Sequence, residues 1–405
     1  MTALNQKSTN FQKKSIIWIS FLFFDIYLHK TSRIEILRHL AKRGYDVCLI
    51  GVHSKKRYSL RNSNIHIISI PLRYVPIISS ILFGLIILFF LPFYIIKRRP
   101  DFIITEPSTP SFGFLWKPLL SRFMGFRVIL DIRSTPVDAR ARQSFQFNSS
   151  VLVAKQMFDG ITIITSSMKK EVCAKFNIDP RSVGKWSSGV SPELFTYEKN
   201  IPYGLELRKK FGLSSNFVVF YHGALRKTGG LVESAKAISM IKKKYPDIVL
   251  FLLGNGPALH ILQNVIRKNV IQDKVILHPA VDYHDVPKFI AMCDVGVVPL
   301  PNLQIWRNQC CLKLLEYLSM KKPVIVTNIP ANREIIGDKK CGIYASSSNP
   351  NEIAKAMVFA YNNKEKLEEW GKSGRKIVIE RYNWDKTAKD LEDYLLKVKN
   401  GLIKW

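Results

Sequence analysis

Glu316 and Lys313 share the stretch Leu312-Lys313-Leu314-Leu315-Glu316-Tyr317-Leu318, an amphipathic helical pattern that runs through Lys321-Lys322-Pro323 into the β-branched Val324-Ile325-Val326-Thr327. Open α/β sheets bind nucleotides outside the carboxyl ends of their strands, and a helix joined to such a strand presents its polar residues there. A carboxylate at that edge can accept hydrogen bonds from both hydroxyls of a ribose. The same pattern also describes an ordinary surface helix with an exposed glutamate, so the neighbouring loops must decide.

Two glycine turns have the right character. The run 217–221 leads into His222-Gly223-Ala224-Leu225-Arg226-Lys227-Thr228-Gly229-Gly230 ahead of a helical pattern. Such a turn offers backbone N–H groups to an anion, and Arg226 and Lys227 add positive charge suited to a diphosphate. Further on, Leu252-Leu253-Gly254-Asn255-Gly256-Pro257 ends another apolar run with glycines that let a ligand approach the backbone.

The elements behind these turns alternate. Strand-like runs at 15–24, 45–52, 65–71, 101–105, 127–131 and 160–165 are separated by helical stretches such as 31–43. After a polar boundary near 189–203 the alternation restarts, with strands expected at 216–221, 248–253, 274–277, 295–298 and 323–327 and a last helix over 384–398. This is α/β patterning of two parallel, doubly wound sheets. The expected domains are 1–197, 198–383 and a 384–405 helix that packs back on the first domain.

A chain of 405 residues with 47% apolar content is long enough for two cores and too apolar for disorder. Its six cysteines have no Cys-x-x-Cys pair and no histidine at zinc spacing, and they read as reduced cytosolic thiols. The net charge of +30 needs an anionic partner. Nucleic acid, anionic lipid and phosphorylated substrates are the candidates; zinc-finger, RNA-recognition and basic-arm patterns are absent from the sequence, which disfavours sequence-specific nucleic-acid binding, and a membrane surface fits better. Residues 75–96 carry no charge and are long enough to cross a hydrocarbon core, but Arg73 precedes them and Lys97-Arg98-Arg99 follows. Basic flanks on both sides, with strands on both sides, favour a helix or helical hairpin dipping into the cytosolic leaflet, with Pro76, Gly84 and Pro92 as bend points. Lys13-Lys14 is followed by only a short apolar run before Asp25, unlike a signal peptide.

In order and spacing, these segments resemble glycosyltransferase family 4. The residues that carry the resemblance are Gly189-Val190 with Phe195, His222-Gly223-Ala224-Leu225, Gly254-Asn255-Gly256-Pro257, Asp294-Val295-Gly296-Val297-Val298-Pro299, Lys313 to Glu316-Tyr317, and Pro323-Val324-Ile325. The resemblance runs from 161 to 382 and covers the N-terminal domain more loosely. It implies the GT-B fold, two Rossmann-like domains facing a cleft, and transfer of a sugar from a nucleotide-sugar donor with retention of configuration and without a metal. By the same resemblance, Glu316 holds the donor ribose, while Lys313 and the backbone of Cys310, Cys311 and Leu312 face the diphosphate at a helix start. Gly223 and Gly254 line the donor, Arg226 or Lys227 neutralises the leaving phosphate, and the backbone of 277–281, with Ala280, meets the base.

Three positions depart from the family. Asn308 stands where a second glutamate is common, and reads as a contact to a sugar hydroxyl. Gly229 replaces a basic residue of the phosphate loop, which leaves Arg226 and Lys227 to compensate. The usual Gly-Gly turn after the first strand is replaced by Asp25-Ile26-Tyr27-Leu28-His29-Lys30. On the acceptor side the candidates are Asp25, His29, Glu106 and Arg133, the last in Asp131-Ile132-Arg133-Ser134, which resembles an Asp-x-Arg-Asp segment of some relatives; an ion pair of Arg133 with Asp131 or Asp138 is the competing reading. The expectation is therefore a hexosyltransferase acting on a lipid-linked or glycolipid acceptor, peripheral or monotopic at the cytoplasmic face of the cell membrane, using a UDP- or GDP-sugar. A GT-B nucleotide-sugar epimerase and a non-catalytic binding protein are the alternatives.

Overall fold

The computed structural model describes residues 14–23, 31–54, 65–75, 77–136, 141–403 and 405. The chain divides into two compact units, one made of Met1–Thr162, Cys173–Gly184 and Ala388–Trp405, the other of Ile163–Val172 and Lys185–Thr387.

The first sheet contains β1 (Ser15–Phe23), β2 (Asp46–His53), β3 (Ile65–Pro71), β4 (Phe102–Thr105), β5 (Arg127–Ile132), β6 (Gly160–Ile163) and β7 (Gly184–Lys185), in the spatial order β3-β2-β1-β4-β5-β6-β7. The pairings of β1 with β2 and β4, of β2 with β3 and of β4 with β5 are parallel. Strands buried on both faces read as continuous apolar runs, and Ile16 to Ile19 of β1 show no exposure at all. Strand order reverses between β1 and β4, so the loops after these two strands flank a topological switch point.

The uncharged segment forms two helices, Ile78–Phe89 and Leu91–Arg98, bent by 43°. The break falls at Phe90, next to Pro92 in the first turn of the second helix, where a missing N–H costs nothing. Gly84 is not a bend point, which corrects the sequence expectation. It lies inside the first helix, where a Cβ would stand 2.3 Å from Cζ of Phe112, so its role is to admit that ring. Pro76 lies outside the described residues. Among the described residues no single helix is long and apolar enough to cross a membrane; this bent pair passes only by length and composition.

The second sheet contains β8 (Phe217–His222), β9 (Ile248–Leu253), β10 (Val275–His278), β11 (Val295–Val298), β12 (Val324–Thr327) and β13 (Gly342–Ala345), in the order β10-β9-β8-β11-β12-β13. Its described pairings are parallel, and the reversal falls between β8 and β11. The late helix Trp384–Lys399 contributes its residues from Ala388 onward to the first unit. There Tyr394 is buried, and its hydroxyl accepts from the Ile161 N–H (3.1 Å) and donates to the Ser182 carbonyl (2.8 Å).

Candidate active site

The switch point of the second sheet puts the end of β8, His222-Gly223, beside the helix Leu312–Ser319. Tyr317 fastens the two together: its hydroxyl donates to the Phe220 carbonyl (3.1 Å) and accepts from the His222 N–H (3.2 Å). Ser319, at the far end of the helix, donates to the Phe195 carbonyl (2.9 Å). Both ties fall in the last turn of the helix and fix the end that carries Glu316.

Glu316, next to Tyr317, is only 3% exposed. Its Oε1 accepts from the Tyr283 hydroxyl (3.0 Å), and its Oε2 lies 3.2 Å from His222 Nε2. The Tyr283 ring is in turn held edge-on by Phe195, 5.5 Å between centroids. A buried carboxylate needs such partners, because an unpaired charge out of water costs several kcal/mol. Phe195, read in the sequence only as part of a spaced motif, therefore supports the Glu316 pocket through both Tyr283 and Ser319.

Lys313, one turn earlier, places its ammonium 4.8 Å from the centroid of the Tyr221 ring. Its side chain lies against Gly223: a Cβ there would stand 3.6 Å from Nζ, and the backbone has φ +115°. Burial disfavours the Lys313 charge, yet Cys311, Tyr221 and Glu316 together raise its pKa above the ordinary value, so it is a cation at neutral pH. Cys311 caps this helix in extended conformation without a side-chain cap bond, and the first turn has no acidic residue. Uncapped N–H groups and the positive end of the dipole thus coincide with Lys313. Gly254 closes the opposite side, with its N–H donating to the His278 carbonyl (2.8 Å) and no room for a Cβ against the Gly223 carbonyl. Ala280, exposed, follows β10 on the same carboxyl edge.

The remaining second-unit candidates are placed differently. Arg226 lies over the Trp306 ring, 5.9 Å from guanidinium carbon to centroid, while Trp306 Nε1 donates to the Thr228 carbonyl (2.9 Å). Lys227 is exposed. Asn308 is fully buried; its amide donates to Glu171 (2.6 Å) and its Oδ1 accepts from Ser167 (2.8 Å), both on the helix Ser166–Phe176.

In the first unit, the Glu106 carboxylate is paired with Arg33 and accepts from Trp18 Nε1 (3.1 Å) and Ser20 Oγ (3.0 Å), and it lines the same cavity as Arg133. Arg133 sits 4.0 Å from Asp131, whose Oδ1 accepts from Thr162 (2.7 Å). Arg33, Asp131 and Arg133 form the polar base of a cavity of about 460 Å³, with Tyr74, Val75 and Ile77 at its exposed apolar lip. Asp25 and His29 lie outside the described residues. Sequence reasoning missed Tyr283, His222 as a partner of Glu316, and Arg33. Only His222 carried a signal, its place at the strand end before Gly223.

Residues 205–377, which contain Lys313, Glu316 and both glycine turns, match the family model for glycosyl transferases group 1. The chain is similar to an uncharacterized glycosyltransferase of Methanocaldococcus jannaschii, 23% identical over 237 residues, 57% of this chain and 58% of that protein. That match spans little more than half of the relative's length. Among solved structures it resembles a glycosyltransferase from Rickettsia africae (TM-score 0.77, 16% identity, 96% of this chain and 100% of that one). It also resembles Anabaena HepE in complex with UDP and glucose (TM-score 0.72, 13% identity, 95% and 99%). The two parallel-sheet, Rossmann-like units are those of the GT-B fold, and the match to glycosyl transferases group 1 supports a glycosyltransferase.

Proposed function

We propose that this protein is a retaining glycosyltransferase, metal-independent, moving a hexose from a UDP- or GDP-sugar to a lipid-linked or membrane glycan acceptor at the cytoplasmic face of the cell membrane. The observation that carries the proposal is the pairing of a buried, oriented Glu316 with the Lys313 cation at the switch point of the second sheet, inside the stretch that matches the family.

In this reading Glu316 takes the ribose hydroxyls, and the backbone near Ala280 meets the base. Lys313 and the N–H groups at Cys311 and Leu312 face the diphosphate. A glycosyl transition state builds negative charge on the departing phosphate, so a cation fixed there lowers the barrier more than it tightens ground-state binding. Arg226 and Lys227 are the second source of positive charge, with Arg226 already steadied by Trp306. The chain's own cations, not a resident metal, carry this role. Anabaena HepE, solved with UDP and glucose, supports a UDP-sugar as the first donor to test. For the acceptor, the first-unit cavity has a charged base and an apolar lip, the polarity of an amphiphile, and the bent apolar helix pair supports a membrane setting.

Titration calorimetry with UDP- and GDP-sugars is the direct test. Glu316→Ala and Lys313→Ala, with circular dichroism unchanged, are each expected to weaken donor binding about tenfold or more, the worth of one charged hydrogen bond, and to abolish turnover. Unaltered affinity and rate in both variants would overturn the site.

A further inference from the structure

The helix Lys117–Met124 is built inside out. Its buried residue is Lys117, whose ammonium pairs with Asp159 at 3.1 Å, while Leu115 just before it, Leu119 and Phe123 face solvent with exposures of 61%, 68% and 78%. These three are four residues apart and so form one stripe along a helix. A soluble helix puts such a stripe on the core. Here Lys117, held by Asp159, shares the inner side with the half-buried Leu120 and Met124, and the larger apolar stripe is left exposed.

The stripe adjoins a second one. On Ile78–Phe89 the exposed residues Ile78, Ile81, Leu82, Leu85 and Phe89 fall at helical spacing, and Phe90, Phe93 and Ile96 extend the exposure past the bend. The two elements are tied where the stripes meet: Trp116 Nε1 donates to the Ile87 carbonyl (3.1 Å), and the Phe112 ring enters the gap at Gly84. Exposed Arg73, Lys97, Arg99 and Arg122 border the apolar residues. A contiguous apolar patch with a basic border marks an interaction site. A second copy of this chain would bring the same basic residues together across a two-fold contact. An anionic partner with an apolar interior answers both features.

We infer that Leu115, Leu119 and Phe123 form, with the bent helix pair, one two-pronged docking face for an anionic lipid bilayer. The inference rests on the membrane setting proposed above, and adds an element outside the uncharged segment together with the side chains that enter the lipid. Burial of the apolar stripe supplies the non-specific part of the affinity, and the basic border supplies the dependence on lipid charge and salt.

The test is co-sedimentation of the full chain with vesicles of phosphatidylcholine alone or mixed with phosphatidylglycerol, beside titration calorimetry with a UDP-sugar and chromatography for oligomeric state. The unaltered protein is expected to bind the mixed vesicles, less so in high salt. The L119E/F123E pair is expected to bind them about tenfold more weakly or worse, with donor affinity unchanged. L119S/F123S, which adds no charge, is expected to weaken binding in the same direction, and unchanged circular dichroism and thermal melting in either variant show an intact fold. Vesicle binding by both variants equal to that of the unaltered protein would remove this helix from the face. A dimer with no affinity for either vesicle would give the face to a second copy and overturn the inference. Vesicle binding without any donor binding would leave the docking face standing while the transferase reading fell.

Discussion

One oxygen of the Glu316 carboxylate accepts from Tyr283 before any ligand arrives, and the other lies 3.2 Å from His222 Nε2. Under the proposed function a ribose must therefore exchange with the Tyr283 hydroxyl. Tyr283→Phe removes that competitor and leaves the ring packed on Phe195, so UDP-sugar affinity is expected to rise by about tenfold or more, the net worth of a hydrogen bond to a charged group. Calorimetry decides; a fall in affinity would make Tyr283 a positioning residue for Glu316. At this scale the sequence was readable where a side chain and its backbone neighbours form one short segment, as with Glu316 and Lys313. It was unreadable where the partner comes from elsewhere: Tyr283 sits 33 positions away in a loop with no periodicity. The partners of Asn308 were equally out of reach, because spacing along the chain says nothing of direction, and its amide points to Glu171 and Ser167.

The elements were legible where apolar β-branched runs are long enough to be strands buried on both faces. Gly342-Ile343-Tyr344-Ala345 escaped because its run is short and lies at the sheet edge, where only one pairing is made. The helix Lys117–Met124 was not foreseen because eight residues give too short a stretch for helical periodicity to stand out. The late helix offers a test. Tyr394 makes two buried hydrogen bonds to β6 and to the carbonyl of Ser182, so Tyr394→Phe leaves an amide and a carbonyl unsatisfied. The expected cost is about 2–4 kcal/mol, read as a lower denaturant midpoint with an unchanged slope. A loss under about 0.5 kcal/mol would show that the helix is held by its apolar contacts alone.

For the whole molecule, buried acids set a limit at high pH. Burial pushes the Cys293 thiol up to about 12 and the Cys341 thiol up to about 11, from an ordinary value of 9.0. Between 9 and those values the folded protein keeps protons that the unfolded chain gives up. Unfolding therefore releases protons there, and stability falls as pH rises, having been fully present below 9. Melting temperature is expected to be level from pH 7 to 8.5 and to drop beyond 9, with a shallower drop in Cys293→Ala. An equal slope in that variant would assign the alkaline limb to other groups.

The order in which the chain is made gives Tyr394 a further meaning. The Ile161 N–H it satisfies is translated 233 residues earlier, about 10–50 s at ordinary elongation rates. For nearly all of that interval the first unit lacks residues 388–405, while the whole of the second unit is synthesised. The unit begun first is completed last, so a nascent chain must hold an unfinished sheet, and a stall late in translation would expose it.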